Sequence, residues 1–308
     1  MEKVIVIVGP TSVGKTKMGV ELAKKFNGEV ISGDSMQIYR KLDIGTAKVT
    51  QGEMDGIAHH LIDIKNPDES YSVKEFQEDV RRQINDIASR NKLPIIVGGT
   101  GLYIKGALYD YQFEEAEDHV EKAREKYAHL TNEQLHGLLE KIDPASALAI
   151  HPNNRQRVFR AIEIFETTGQ TKSESLKKQE HKMLYDAFFV GLTCPRELLY
   201  QNINERVDRM VAMGLLEEMA GLPENYKYPG LQSMKAIGYK ELFAYFSGNA
   251  SLEQTVELIK KNSRNYAKRQ YTWFNNQVPV TWFDVDFDDF EKTIDAVANQ
   301  VEAFVEDR

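Results

Sequence analysis

A single cysteine, Cys194, among 308 residues excludes a disulfide framework and a structural zinc site of the usual four-ligand kind, and it suits a reducing compartment. No apolar run is long enough to cross a bilayer, and the N-terminus enters a strand pattern at once without the look of a signal peptide. The expected address is therefore the cytoplasm, with no membrane partner. Excess positive charge is missing too. A net charge of −8 argues against indiscriminate nucleic-acid binding, although a total leaves room for a local basic patch. Repeats and low-complexity tracts are absent. What remains is an ordinary globular chain, 42% hydrophobic, long enough for one large domain or a domain with an insertion.

The first distinctive stretch is GPTSVGKT, following the apolar run VIVIV. Its pattern is that of a phosphate loop: the backbone N–H groups of Gly9, Pro10, Thr11, Ser12, Val13 and Gly14 form the cradle, less the proline's. Lys15 adds a point charge and the Thr16 hydroxyl faces a divalent ion. The context agrees, because Val4 to Val8 reads as a buried strand and Lys17 to Phe26 as a helix whose N-terminus points at an anion.

Apolar and helical segments then alternate: EVIS ending in GDS, a helical Ser72 to Asn91, and LPIIVGGT. That rhythm predicts βαβ units, a mostly parallel sheet and an α/β core. Ligands gather at the carboxyl ends of such strands, so GPTSVGKT, GDSMQ and GGTG should converge on one crevice. From about Asp110 an acidic stretch leads into a strand-free helical region running to about Lys182, after which DAFFVGLT is strand-like. The organisation expected is an α/β core in residues 1–112 and 184–308 with a helical insertion in residues 113–183. A long helix is expected from Pro195 to about Leu222. The last major one starts at Ser251, capped with Gln254, and runs to about Asn276.

Phosphate loops that move a γ-phosphate need a second carboxylate after a neighbouring strand, and LPIIV ends instead in Gly98, Gly99 and Thr100. Asp63, after the short run HLIDI, is the remaining candidate. The two glycines either let backbone approach a ligand closely or only turn the chain, while Thr100 offers a hydroxyl. Asp34, ending the second strand, reads as a magnesium ligand through water, as a base beside an acceptor, or as the cap of its own turn. Gln37 carries an amide of the kind that pairs bidentately with adenine.

Two basic surfaces follow. In NNRQRVFRAIEIF, Val158, Ile162 and Phe165 share one helical face and Gln156 and Arg160 the other. Arg155 and Arg157 lie at the helix start, where the macrodipole disfavours cations. Lys260, Arg264 and Lys268 recur every fourth residue in Leu258 to Gln270, which contains no acid, so a bound anion would relieve their repulsion. Interleaved Tyr266, Tyr271, Trp273 and Phe274 are either stacking platforms for bases or core residues. Together these surfaces point to an RNA partner.

GPTSVGKT, GDSMQIYRKLDIGTAK, VGGTGLYIKG, HPNNRQRVFRAIEIF, KAIGYKEL and YAKRQYTWF resemble the successive motifs of the tRNA dimethylallyltransferases, across nearly the whole chain. The resemblance implies a core related to the phosphate-loop NTPases with a helical insertion, dimethylallyl diphosphate as donor and the N6 amine of adenosine 37 in tRNA as acceptor. It implies a diphosphate held as leaving group by the loop, Lys15, Thr100 and, through Mg2+, Thr16, with Asp34 as general base. It implies contact with the anticodon stem-loop through Asp34, Ser35, Met36, Gln37 and through Gln156, Arg157, Val158, Phe159 and Arg160, joined by the basic stripe. Arg124 is the nearest match to an arginine that contributes from the insertion's first helix. A monomer suffices for all of this. A small-molecule kinase would share the loop but has no need of the basic final helix; a non-enzymatic RNA binder has no need of an intact Gly14, Lys15 and Thr16.

Overall fold

The computed structural model of the chain describes residues 1–112, 126–178 and 182–307. They divide into two compact units, residues 1–109 with 183–308 and residues 110–182. In chain order the elements are β1 (Lys3–Val8), α1 (Lys15–Lys25), β2 (Gly28–Ser32), α2 (Gln51–Met54), β3 (His59–His60), α3 (Val73–Ser89), β4 (Leu93–Val97) and α4 (Gly101–Leu108). The second unit holds α5 (Asn132–Ile142), α6 (Pro144–Ala149), α7 (Arg155–Thr168) and α8 (Lys172–Lys178). The first unit resumes with β5 (Asp186–Thr193), α9 (Arg196–Ala212), α10 (Leu215–Gly221), α11 (Tyr239–Phe246), α12 (Leu252–Gln277), β6 (Val280–Asp284) and α13 (Phe290–Glu306).

The sheet runs β3-β2-β4-β1-β5-β6, every pair parallel, with Val6 of β1 between Ile96 of β4 and Phe189 of β5. A strand with neighbours on both sides and helices on both faces must be apolar throughout, and Val4 to Val8 are wholly buried. On one face Ile5 and Ile7 pack with Met18 and Leu22 of α1 and Val297 of α13. On the other, Val4 and Val6 share a core with Phe76, Val80 and Ile84 of α3. Helix α3 starts with a reciprocal capping box between Ser72 and Glu75, and α12 with one between Ser251 and Gln254. Because β1 and β4 are adjacent, as are β4 and β2, the loops that follow all three emerge side by side.

Two sequence expectations need correction, and one strand was not foreseen. The helix expected from Pro195 to Leu222 breaks after Ala212, because Gly214 takes a left-handed φ of 100° that ends one helix and starts the next. The helix from Ser251 is not the last, since the 17-residue α13 follows. Strand β6, half exposed at the sheet edge, carries too little apolar alternation to read from the sequence.

The second unit is built on its own small core of Leu135, Leu139, Val158, Ala161 and Ile162. Caps set its helix starts: Thr131 with Gln134 for α5, and Asp143, which accepts from Ser146 N–H, for α6.

Candidate active site

The phosphate loop joins β1 to α1. Gly9, at φ 140°, and Gly14, at φ 87°, adopt backbone that L side chains rarely reach, and a Cβ on Gly9 would fall 2.5 Å from the Leu192 carbonyl oxygen. Lys15 Nζ donates to the Pro10 carbonyl at 2.6 Å, folding the ammonium over the loop. Burial, and then the nearby Arg206 guanidinium, push its pKa down to about 7, against a smaller opposing pull from Asp34. Arg206 comes from α9 and donates to Thr11 Oγ1 at 2.7 Å. Burial also lowers its own pKa. Two desolvated cations against one glycine loop form a site that is short of negative charge. The buried Ser12 hydroxyl has no hydrogen-bond partner among the described residues.

The neighbouring strand ends complete the crevice. Gly98 follows β4, and a Cβ there would lie 2.3 Å from the backbone of Gly33, while one on Gly99 would lie 2.0 Å from Gln270 Nε2. These glycines admit loop and helix to one another, which is a tighter reason than turning the chain. Thr100 Oγ1 accepts from Ser35 N–H at 3.2 Å, tying the β4 turn to the β2 turn. Asp34 Oδ1 accepts from Met36 N–H at 2.8 Å and Gln37 N–H at 3.4 Å, so the carboxylate does cap its own turn. Asp34 Oδ2 makes no hydrogen bond to any described residue, which leaves one oxygen free for chemistry. Gln37 is engaged, with Nε2 donating to the carbonyls of Thr46 and Ala47 at 3.4 and 3.1 Å. Bidentate pairing with adenine therefore requires Gln37 to release that loop. Asp63 is held by Lys48 Nζ at 2.6 Å and does not join the crevice.

The basic stripe of α12 is not bare. Lys260 pairs with Asp208 of α9 at 2.8 Å and with Glu257 at 3.2 Å, and Arg264 donates to Asn204 of α9. Counter-charge from another helix is invisible to a local reading, and it already relieves the expected repulsion at Lys260. Lys268 is exposed. Of the interleaved aromatics, Phe274 is wholly buried, Trp273 packs edge-on against it, and Tyr271 bonds to Thr193 and leans on Trp282. These three are core residues and not stacking platforms. Tyr266 instead reaches the crevice, beside Thr100 and Gln270. Burial raises its phenol to about 12.

In the second unit, Gln156, Arg157 and Arg160 of α7 are exposed. Val158 is wholly buried against Leu135 and Leu139, which corrects its expected place in an RNA contact, and Phe159 is half buried against the same core. Arg155, expected to suffer at a helix start, instead donates to the carbonyls of Leu130, Tyr127 and Ala128. Arg160 pairs with the buried Glu163 at 2.6 Å. Lys172, which the sequence reading missed, sits near Arg157 and Arg160 and has its pKa lowered first by burial and then by Arg157. Arg124 lies outside the described residues.

Arg206 and Gln270 were also missed as site residues, and Tyr266 was read only as a stacking platform or a core residue. Only the i, i+4 spacing of Tyr266 and Gln270, which puts both on one face of α12, hinted at a shared role.

Residues 37–277 match the family described as IPP transferase. The chain is 59% identical over 295 residues to the tRNA dimethylallyltransferase of Bacillus cereus, an alignment covering 95% of this chain and 92% of that one. It is similar to a crystal structure of a full-length tRNA isopentenylpyrophosphate transferase from Bacillus halodurans, with 47% identity, TM-score 0.75, and 99% and 97% of the two chains covered. It is also similar to a eukaryotic dimethylallyltransferase acting on tRNA, with 31% identity, TM-score 0.86, and 100% and 80% covered.

Proposed function

This chain belongs to the IPP transferase family and is a tRNA prenyltransferase, and we propose that it moves a dimethylallyl group from dimethylallyl diphosphate to the N6 amine of adenosine 37. The tRNAs are those reading codons that begin with U, and diphosphate is released. The observation that carries this reading is the pairing of two half-buried cations, Lys15 and Arg206, on a glycine loop with a half-free carboxylate, Asp34, at the next strand end. Gly98, Gly99 and Thr100 stand where a phosphoryl-transfer enzyme would carry its second acid.

The chemistry follows from those charges. The allylic C–O bond breaks with its electron pair leaving on the diphosphate oxygen. The N6 lone pair forms the new C–N bond, and the N6 proton passes to Asp34 Oδ2. Positive charge builds on the allyl carbon and negative charge on the leaving oxygens. Fixed donors aimed at the loop therefore stabilise the transition state more than the ground state. The loop amides, Lys15 and Arg206 supply those donors, and Thr100 orients the Asp34 turn through Ser35. An aromatic amine is a weak nucleophile, so its orientation beside Asp34 and Gln37 counts as much as proton removal.

Mg2+ fits the donors on offer: the Thr16 hydroxyl and diphosphate oxygens are hard oxygen ligands. Among the described residues no cluster of three or more His, Cys, Asp or Glu could hold a metal. The ion would offset charge on the departing diphosphate.

The anticodon stem-loop is the part of tRNA that presents adenosine 37. The exposed Gln156, Arg157 and Arg160 with Lys172, together with Lys268, supply phosphate contacts, and the target base leaves its stack at a cost of a few kcal/mol. The enzyme works as a monomer in the cytoplasm. Among the described residues no helix is long and apolar enough to cross a membrane.

The test is incubation with Mg2+, dimethylallyl diphosphate and unmodified tRNA that reads codons beginning with U, followed by mass analysis of the nucleosides. The expected result is a five-carbon adduct on adenosine 37, little product with free AMP, and no need for ATP. Transfer of phosphorus from ATP to an acceptor, without the adduct, would establish a kinase instead.

A further inference from the structure

Gln270 is a polar side chain only 5% exposed, in a 26-residue helix that otherwise turns most of its polar groups to water. Both ends of its amide are occupied. Oε1 accepts from the Thr11 N–H of the phosphate loop at 3.0 Å, and Nε2 donates to the Gly99 carbonyl of the β4 turn at 3.0 Å. One turn earlier, Tyr266 lies beside Thr100 and Gln270, and Thr100 Oγ1 receives the Ser35 N–H beside Asp34. Hydrogen bonds joined by the Gly99–Thr100 backbone thus run from the phosphate loop, through one side chain of α12, to the turn that carries Asp34. The far part of α12 is fixed by Asp208 and Asn204 of α9, the helix that also delivers Arg206 to Thr11.

We propose that Gln270 is a positioning residue that sets the distance between the phosphate loop and the Gly99–Thr100 turn, and so between the departing diphosphate and the acceptor amine. The inference rests on the prenyl-transfer reading above. Its physical basis is that reacting atoms about 3–3.5 Å apart lose rate steeply on misplacement, about 100-fold for 1 Å. Gln270 itself contacts neither substrate in this reading. It spans two loops that do, and its amide has an acceptor and a donor at separate ends, which satisfy an N–H and a C=O together. Gly99 keeps the gap open for it, because any side chain there would occupy the place of Nε2.

The test uses Gln270→Met, which keeps the volume and removes both hydrogen bonds. Three quantities are read: single-turnover transfer from dimethylallyl diphosphate to tRNA, the Kd for inorganic diphosphate, and the Kd for tRNA. We expect the transfer rate to fall thirtyfold or more while both Kd values stay within threefold of the parent. A transfer rate within threefold of the parent would overturn the proposal. So would a diphosphate Kd that weakens in step with the rate, since Gln270 would then be a ligand or a prop for the loop. Gln270→Asn, one methylene shorter and able to reach only one loop, gives the same readout if the methionine variant does not fold. Failure of the parent protein to transfer the prenyl group at all would instead sink the proposed function, and the two failures are distinguishable.

Discussion

The crevice of the first unit and helix α7 of the second both gather cations, but they hold them in opposite ways. In the crevice Lys15 and Arg206 are partly withdrawn from water and tied to the loop they serve, through Pro10 and Thr11. On α7, Arg157 and Arg160 stand in solvent, and among the described residues only Arg160 of the two has an ion-pair partner, on its own helix. Desolvated charge is costly to prepare but acts at nearly full strength on a small ligand, whereas solvated charge costs little and is screened within about 8–10 Å at ordinary salt. A site that must steady one leaving group suits the first arrangement. A surface that must follow a long polyanion suits the second.

The largest effect should come from removing the base. Asp34→Ala is expected to lower single-turnover prenyl transfer by a hundredfold or more. Asp34→Asn sharpens the result, because its amide oxygen can still accept from Met36 N–H while offering no proton acceptor of carboxylate strength. If the asparagine variant turned over at the parental rate, only the turn-capping role would survive.

Next in size is a pH effect on the donor site. With Lys15 near 7 in the free protein, the ammonium form becomes scarce above that pH, whereas bound diphosphate favours the charged form. Binding above pH 7 must then take up a proton, and affinity should fall by up to tenfold per pH unit. Lys15→Arg stays charged throughout and should lack this fall, which separates the effect from ionisation of the diphosphate itself. Calorimetry from pH 7 to 9 in two buffers of different ionisation enthalpy reads both the slope and the proton. Parallel profiles for parent and variant would mean that Lys15 does not titrate in this range.

The same contrast explains how much was legible in advance. The phosphate loop, the three polar strand ends and the α/β rhythm are consequences of local sequence: glycines where backbone needs them, apolar runs where strands are covered on both faces. Asp34 and Thr100 stood out because they end such strands. Arg206 and Gln270 carried no comparable signal, since their roles depend on where α9 and α12 land, 195 and 259 residues along the chain from their Thr11 partner. For the same reason the basic stripe of α12 looked unpaired until α9 brought Asp208 and Asn204 beside it. Val158 failed as an RNA contact because a helix motif names neighbours in sequence, while its apolar face decides which of them reach solvent.

The smallest effects, and the ones that separate binding from folding, belong to α7. Arg157 is exposed and makes no side-chain hydrogen bond to a described residue. Arg157→Ala should therefore weaken tRNA binding a few-fold, flatten the salt dependence of log K by about one contact's worth, roughly 0.7–0.9, and leave the urea midpoint unchanged. Arg160 differs because it faces Glu163, whose side chain is 2% exposed and whose Oε1 already lacks a partner among the described residues. Arg160→Ala strands a buried carboxylate, at a cost of about 1–3 kcal/mol to the helical unit, and should lower the urea midpoint as well as tRNA affinity. Adding Glu163→Gln to Arg160→Ala removes the stranded charge, so stability should recover while tRNA affinity does not. Equal recovery of both would mean that Arg160 acts on RNA only by holding its own helix together.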